Sequence, residues 1–140
     1  MSKTLSLSGR CLCGAVTFEA KNVEPQHHAC HCKMCRRWSG SPFFGIRVGG
    51  VEFSGEDNIT RFDSSDWAAR GFCSACGTNL FYYLKPADRY SICAGTFDDQ
   101  STFELSREIF IDHKPDGYWF AGDLPAMTEA EVLAEYGASD

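Results

Sequence analysis

Cys30-His31-Cys32-Lys33-Met34-Cys35 places three thiols within six residues, between the pairs Cys11-Leu12-Cys13 and Cys73-Ser74-Ala75-Cys76. Seven of the eight cysteines fall in these three motifs. Such spacings read as metal ligands in a reducing setting and as disulfides in a secreted chain. The first eight residues hold no apolar run of leader length, so a cytoplasmic chain with reduced thiols is expected. A disulfide across CxC would also close a very small, strained ring. Two zinc sites are the most economical reading. Cys11, Cys13, Cys73 and Cys76 supply four sulfurs, as a closed structural site requires. Cys30, Cys32 and Cys35 supply three and leave one position open, as catalytic zinc requires.

Closing the first site brings together cysteines with 59 residues between Cys13 and Cys73. The length-dependent cost of that loop is about 3–4 kcal/mol. Structural zinc returns about 10 kcal/mol or more in peptide systems, so the metal outweighs the closure.

The formal net charge is -6 with the cysteines neutral. Seven bound thiolates and two Zn2+ would take it to about -9. A broad basic face for nucleic acid is therefore not expected, and no apolar run approaches a membrane span. The 140 residues suit a single domain, 1–140, with a core of its own. Cations gather locally, and Lys33, Arg36 and Arg37 stand beside the central cysteines. They either receive the carboxylates of an acidic thiol such as glutathione, or they balance the thiolate charge or simply face water.

Along the chain, Met1 to Ser8 reads as a frayed end or a short edge strand. Cys11-Leu12-Cys13 on extended backbone would aim both sulfurs one way, and Gly14 and Gly77 permit tight knuckles after the paired cysteines. Strands are expected over 15–20, 43–48, 51–54, 59–62, 79–84, 90–96 and 107–112, from alternation and β-rich composition. Gly49-Gly50 reads as a hairpin turn, and residues 38–42 as irregular. The one helix expected is C-terminal. Thr128 and Glu131 form a capping-box pattern, Ala130, Leu133 and Ala134 repeat at helical spacing with Val132 and Tyr136 extending the stripe, and Gly137 is the stop. Short strands plus one helix make a mainly β domain.

The fourth position at the central trio is open to water, a substrate thiol, Cys93, or one of His27, His28, His31 and His113. His31, between two ligands, is expected to point away from the metal. Cys93 in Ile92-Cys93-Ala94 reads as a small core residue. Three thiolates around Zn2+ make a modest Lewis acid that holds a further thiolate well, and zinc lowers that thiol's pKa.

The motifs Cys11-Leu12-Cys13-Gly14-Ala15-Val16-Thr17-Phe18, Cys30 to Arg37 and Phe72 to Phe81 resemble the glutathione-dependent formaldehyde-activating enzyme family, which includes centromere protein V. Ala94 to Asp98 and Trp119 before Asp123-Leu124-Pro125 fit the same pattern, so the likeness runs from about residue 9 to 125. It implies a β-tent fold of antiparallel sheets around a structural zinc, shared with type B methionine sulfoxide reductases. By motif position it implies Cys11, Cys13, Cys73 and Cys76 as structural and Cys30, Cys32 and Cys35 as catalytic ligands. The implied activity is a carbon–sulfur lyase, joining glutathione and formaldehyde as S-(hydroxymethyl)glutathione and the reverse. Its partners would be a small-molecule thiol and an aldehyde; if the thiol is glutathione, the cluster of Lys33, Arg36 and Arg37 offers contacts for its carboxylates. Two other functions compete. One is a non-catalytic zinc module for a protein partner, against which the acidic balance weighs. The other is a thiol-redox enzyme using Cys93, which requires that thiol to be exposed and held as a thiolate.

Overall fold

Short segments with one apolar face become strands here because a sheet lets each bury that face against the next. The structure is a computed structural model and describes residues 5–136. Among the described residues there are ten strands and two α-helices. In chain order they are β1 (Leu7–Arg10), β2 (Thr17–Val23), β3 (Gln26–Cys30), α1 (Lys33–Ser39), β4 (Phe43–Ser54), β5 (Ile59–Asp63), β6 (Ala68–Cys73), β7 (Asn79–Leu84), β8 (Arg89–Cys93), β9 (Glu104–Ile109), β10 (Ala126–Met127) and α2 (Glu129–Tyr136). Of the N-terminal segment expected to fray or form an edge, residues 1–4 lie outside the described residues and Leu7–Arg10 form β1, which pairs with β2.

The strands join in one sheet, ordered β10-β9-β3-β4-β8-β7-β6-β5, with β2 on β4 and β1 on β2. The mainly β expectation holds, but purely antiparallel sheets do not. β9 lies parallel to β3, and β10 parallel to β9, so the sheet is mixed. The cause is the connection between them. A long excursion through β4 to β8 lets β9 return along the free edge of β3 in the same direction, which a hairpin cannot do.

β4 is the strand on which the others register. Phe43 to Gly45 pair with β3, Gly45 to Val48 with β8, and Val48 to Ser54 with β2. Gly49-Gly50, expected as a turn, lies inside this strand, with Gly50 opposite Lys21. Gly49 faces Asn22, which has a φ of 51°, and a Cβ there would come within 2.6 Å of the Asn22 Cβ. The glycine relieves that crowding where β4 exchanges β8 for β2.

The larger core packs Val16, Phe18, Ile46, Leu80, Phe81 and Ile92. Burying each such side chain stabilises by about 1.5–3 kcal/mol. A second core gathers Phe43, Tyr82, Ile109, Phe110 and Val132 around Cys30, Cys32 and Cys35.

α1 was not expected. Its N-cap is Cys32, whose Sγ accepts the Cys35 N–H at 3.3 Å, and Gly40 at φ 78° ends it with an N–H to the Arg36 carbonyl. Sulfur here replaces the oxygen of an ordinary cap, so Trp38 and Ser39, expected as irregular, are helical. In α2 the capping box forms as expected. Glu131 N–H donates to Thr128 Oγ1 at 3.3 Å and Thr128 N–H to Glu131 Oε1 at 2.9 Å. The buried face differs from the expected stripe: Val132 is buried, while Ala130, Leu133 and Ala134 are exposed. The Tyr136 side chain and the stop at Gly137 lie outside the described residues. No helix among the described residues is long and apolar enough to cross a membrane.

Candidate metal centres

The first four-sulfur group is assembled from two turns. Cys11 and Cys13 lie in the turn between β1 and β2, not on extended backbone as expected, and the Leu12 side chain between them is exposed. Gly14, at φ 81°, donates its N–H to the Cys11 carbonyl. Cys73 closes β6 and Cys76 follows in the turn to β7, where Gly77, at φ 79°, donates to the Cys73 carbonyl. A left-handed glycine thus completes each knuckle, as the spacing predicts. Thr78 links the two turns: its Oγ1 accepts the Leu12 N–H at 3.0 Å and lies 3.1 Å from Cys76 Sγ. That hydroxyl holds the Cys76 thiol down to about 5. Backbone N–H groups of Val16 and Ala15 donate to the sulfurs of Cys11 and Cys13 at 3.3 and 3.4 Å. All four sulfurs lie within 4.8 Å of one another.

The second group comprises Cys30, the last residue of β3, Cys32, the cap of α1, and Cys35 in its first turn. All three are buried and their sulfurs also lie within 4.8 Å of one another. Hydrogen bonds from Cys30 and Cys35 hold the Cys32 thiol down to about 2. The bond to Cys32, with Cys35 and burial, pushes the Cys30 thiol well above its usual value. Left to itself the trio favours one thiolate and withholds the next, because like charges crowd a dry site. A divalent cation would release the remaining protons. Donor sets made only of sulfur fit a borderline or soft ion such as zinc, at both groups.

Among the described residues no further His, Cys, Asp or Glu completes the trio. His31 turns away, as expected, and is fully buried. Its Nε2–H donates to Glu108 Oε1 at 2.9 Å, and its Nδ1, 2.8 Å away, accepts the Tyr118 hydroxyl. The carboxylate can only accept, which fixes this tautomer. The His31 backbone N–H donates to Ile109 O, and its carbonyl accepts Arg36 Nε at 2.9 Å. His113 pairs with Glu129 of α2 at 3.4 Å, and His27 lines a groove of about 500 Å³ with Ser39, Phe43, Cys93 and Phe103.

Cys93 packs against the second core without joining the sulfur group. Cys93 is half-buried and borders that groove, and desolvation pushes its thiol up to about 12, outweighing the neighbouring Arg70 guanidinium. The redox reading needs the opposite. Iodoacetamide at neutral pH is expected to label Cys93 in the folded protein about a hundredfold or more slower than free cysteine. Peptide mass spectrometry would show it, and labelling at the free-cysteine rate would restore a nucleophilic role.

Lys33, Arg36 and Arg37 line one open hollow of about 420 Å³ on the outer side of α1. Cys35 occupies the inner side, so the cations and the trio share a helix but not a face. Sequence reasoning missed Arg70, Trp38, Glu108 and Tyr118. Arg70 is buried in β6, with Nη1 and Nη2 at 3.8 and 3.7 Å from Cys35 Sγ. An arginine in the short apolar run before Cys73 was the one signal available.

One mixed sheet carrying a closed four-sulfur group and an incomplete three-sulfur group defines a protein able to hold metal at two unlike thiolate sites. The sequence model of the glutathione-dependent formaldehyde-activating enzyme family matches residues 6–113, and the chain belongs to that family. It is 35% identical over 127 residues to a Schizosaccharomyces pombe protein named as an uncharacterized lyase, covering 89% of this chain and 93% of that one. Its fold is similar to the crystal structure of a Rhodobacter sphaeroides protein, with a TM-score of 0.54 at 21% identity over 86% of this chain and 99% of that one.

Proposed function

We propose that this protein is a cytoplasmic zinc-dependent carbon–sulfur lyase acting on a thiol–aldehyde adduct, with glutathione and formaldehyde as the first pair to test. The observation that carries the reading is the buried trio of Cys30, Cys32 and Cys35, brought within ligand distance of one another without a fourth protein donor among the described residues. Family membership and the lyase-named relative support the reaction class. In this reading Cys11, Cys13, Cys73 and Cys76 hold a structural zinc in a β-tent, and the trio holds the second.

Zinc at the trio would supply a place where a thiol is kept ionised at neutral pH. The chain's own residues do the rest. α1 presents Cys32 and Cys35 with sulfurs fixed by the cap bond, and the hydrogen bonds of His31 anchor the segment between Cys30 and Cys32. The second core keeps water from the sulfurs. Lys33, Arg36 and Arg37 would take the carboxylates of glutathione from the outer side of α1.

Exchange between glutathione plus formaldehyde and their adduct tests this directly, by NMR exchange spectroscopy. The spontaneous rate is expected to rise with the zinc-loaded protein and to fall back with Cys32→Ala, while the four-cysteine group keeps its metal. A rate equal to the spontaneous one would set this substrate pair aside. The search would then turn to other thiols and to a non-catalytic zinc module.

A further inference from the structure

We propose that Arg70 sets the charge of the three-cysteine centre and thereby selects an anionic thiolate as its fourth ligand. This rests on the metal reading of Cys30, Cys32 and Cys35.

Arg70 is 2% exposed. A buried guanidinium is costly unless a counter-charge meets it. Among the described residues no carboxylate lies in ion-pair range of Arg70, and its Nε has no hydrogen-bond partner. Its two terminal nitrogens point instead at Cys35 Sγ, at 3.8 and 3.7 Å. The guanidinium carbon lies 5.1 Å from the Trp38 ring and 5.0 Å from the Tyr82 ring. Both rings are held in place. Tyr82 is the β7 partner of Arg70 in the sheet, and Asn79 Nδ2 donates to the Trp38 carbonyl at 3.1 Å. The cation is therefore fixed against the sulfurs rather than free to swing to solvent.

Three thiolates and a divalent ion carry one net negative charge. A neutral fourth ligand leaves that charge unchanged, and a thiolate adds another. With Arg70 the totals become zero and minus one. Removing the guanidinium therefore penalises an incoming thiolate and spares a neutral donor, because the extra repulsion falls on the charged ligand in a poorly solvated site. Arg70 is in these terms a positioning and specificity residue, not a catalytic one.

Cobalt(II) tests this without turnover, since its visible and sulfur-to-metal bands report each added ligand. The full chain, loaded with cobalt, is titrated with 2-mercaptoethanol, which has no carboxylates for Lys33, Arg36 or Arg37, and separately with imidazole. Arg70→Gln is expected to weaken thiolate binding about tenfold or more and imidazole binding by less than about threefold. Arg70→Lys, which supplies a cation without the fork geometry or the ring stacking, is expected to weaken thiolate binding less than Arg70→Gln does and imidazole binding by less than about threefold. Equal losses for both ligands in Arg70→Gln, or none, would overturn the assignment. If Arg70→Gln takes up only one cobalt ion, Arg70→Lys decides: a loss for the thiol that exceeds the loss for imidazole supports the assignment, and equal losses overturn it. Fewer than two cobalt ions in the wild type would sink the metal reading, and the role of Arg70 with it. Two ions with unchanged thiolate affinity in Arg70→Gln would sink the role alone.

Discussion

Cys73→Ala is expected to cost about 5 kcal/mol or more and to lower the Tm by about 15–20 °C, or to leave the chain aggregated. Cys73 is fully buried in the larger core and ends β6, while two of its three sulfur partners, Cys11 and Cys13, sit in the turn between β1 and β2. In the zinc reading its loss removes one of four ligands, and it leaves a small cavity where the two turns meet. The remaining three sulfurs would hold metal less tightly, so less of the binding energy would be available to fold the chain. Metal analysis should give fewer than two zinc ions per chain, and circular dichroism should show the weakened transition. A mutant with full zinc content and unchanged Tm would refute the four-ligand assignment.

His31→Ala should be the next most damaging change, at about 3 kcal/mol. It opens a cavity beside the Tyr118 and Phe120 rings and leaves Glu108 Oε1 and the Tyr118 hydroxyl without their shared partner. Glu108→Gln keeps an acceptor for Nε2–H and should cost only about 1 kcal/mol. Denaturant unfolding would separate the two. The backbone at His31 joins Cys30 to Cys32, so metal affinity at the trio should also fall, by about tenfold or more, with the four-cysteine group unaffected. A His31→Ala protein as stable as wild type would show that water replaces both hydrogen bonds.

The cysteine groups were legible because ligand spacing is a local property. A knuckle needs two sulfurs a few residues apart and a glycine behind them, and Gly14 and Gly77 supply it. The capping box at Thr128 and Glu131 is local in the same way. α1 was not legible, because its cap is a sulfur and its seven residues are too few to establish a period. Gly49-Gly50 misled for the opposite reason. A glycine pair is a turn by propensity, yet here it eases one long strand past Asn22. The rest of the site depends on distant partners. Arg70 meets Cys35 from 35 residues away, and Tyr118 meets His31 from 87. No window of sequence contains both members, and the parallel pairing of β3 with β9 is hidden for the same reason.

That pairing also sets a timetable for the newly made chain. Cys13 and Cys73 are 60 residues apart, so the outer sulfurs can meet once β6 and β7 have emerged. Cys30, Cys32 and Cys35 are synthesised well before β9, Phe110 and Val132, which wall them in. Distant contacts of this kind form slowly. In the interval the central thiols stand open to oxidants and to competing metals. The residues that shelter these thiols are made long after the thiols themselves.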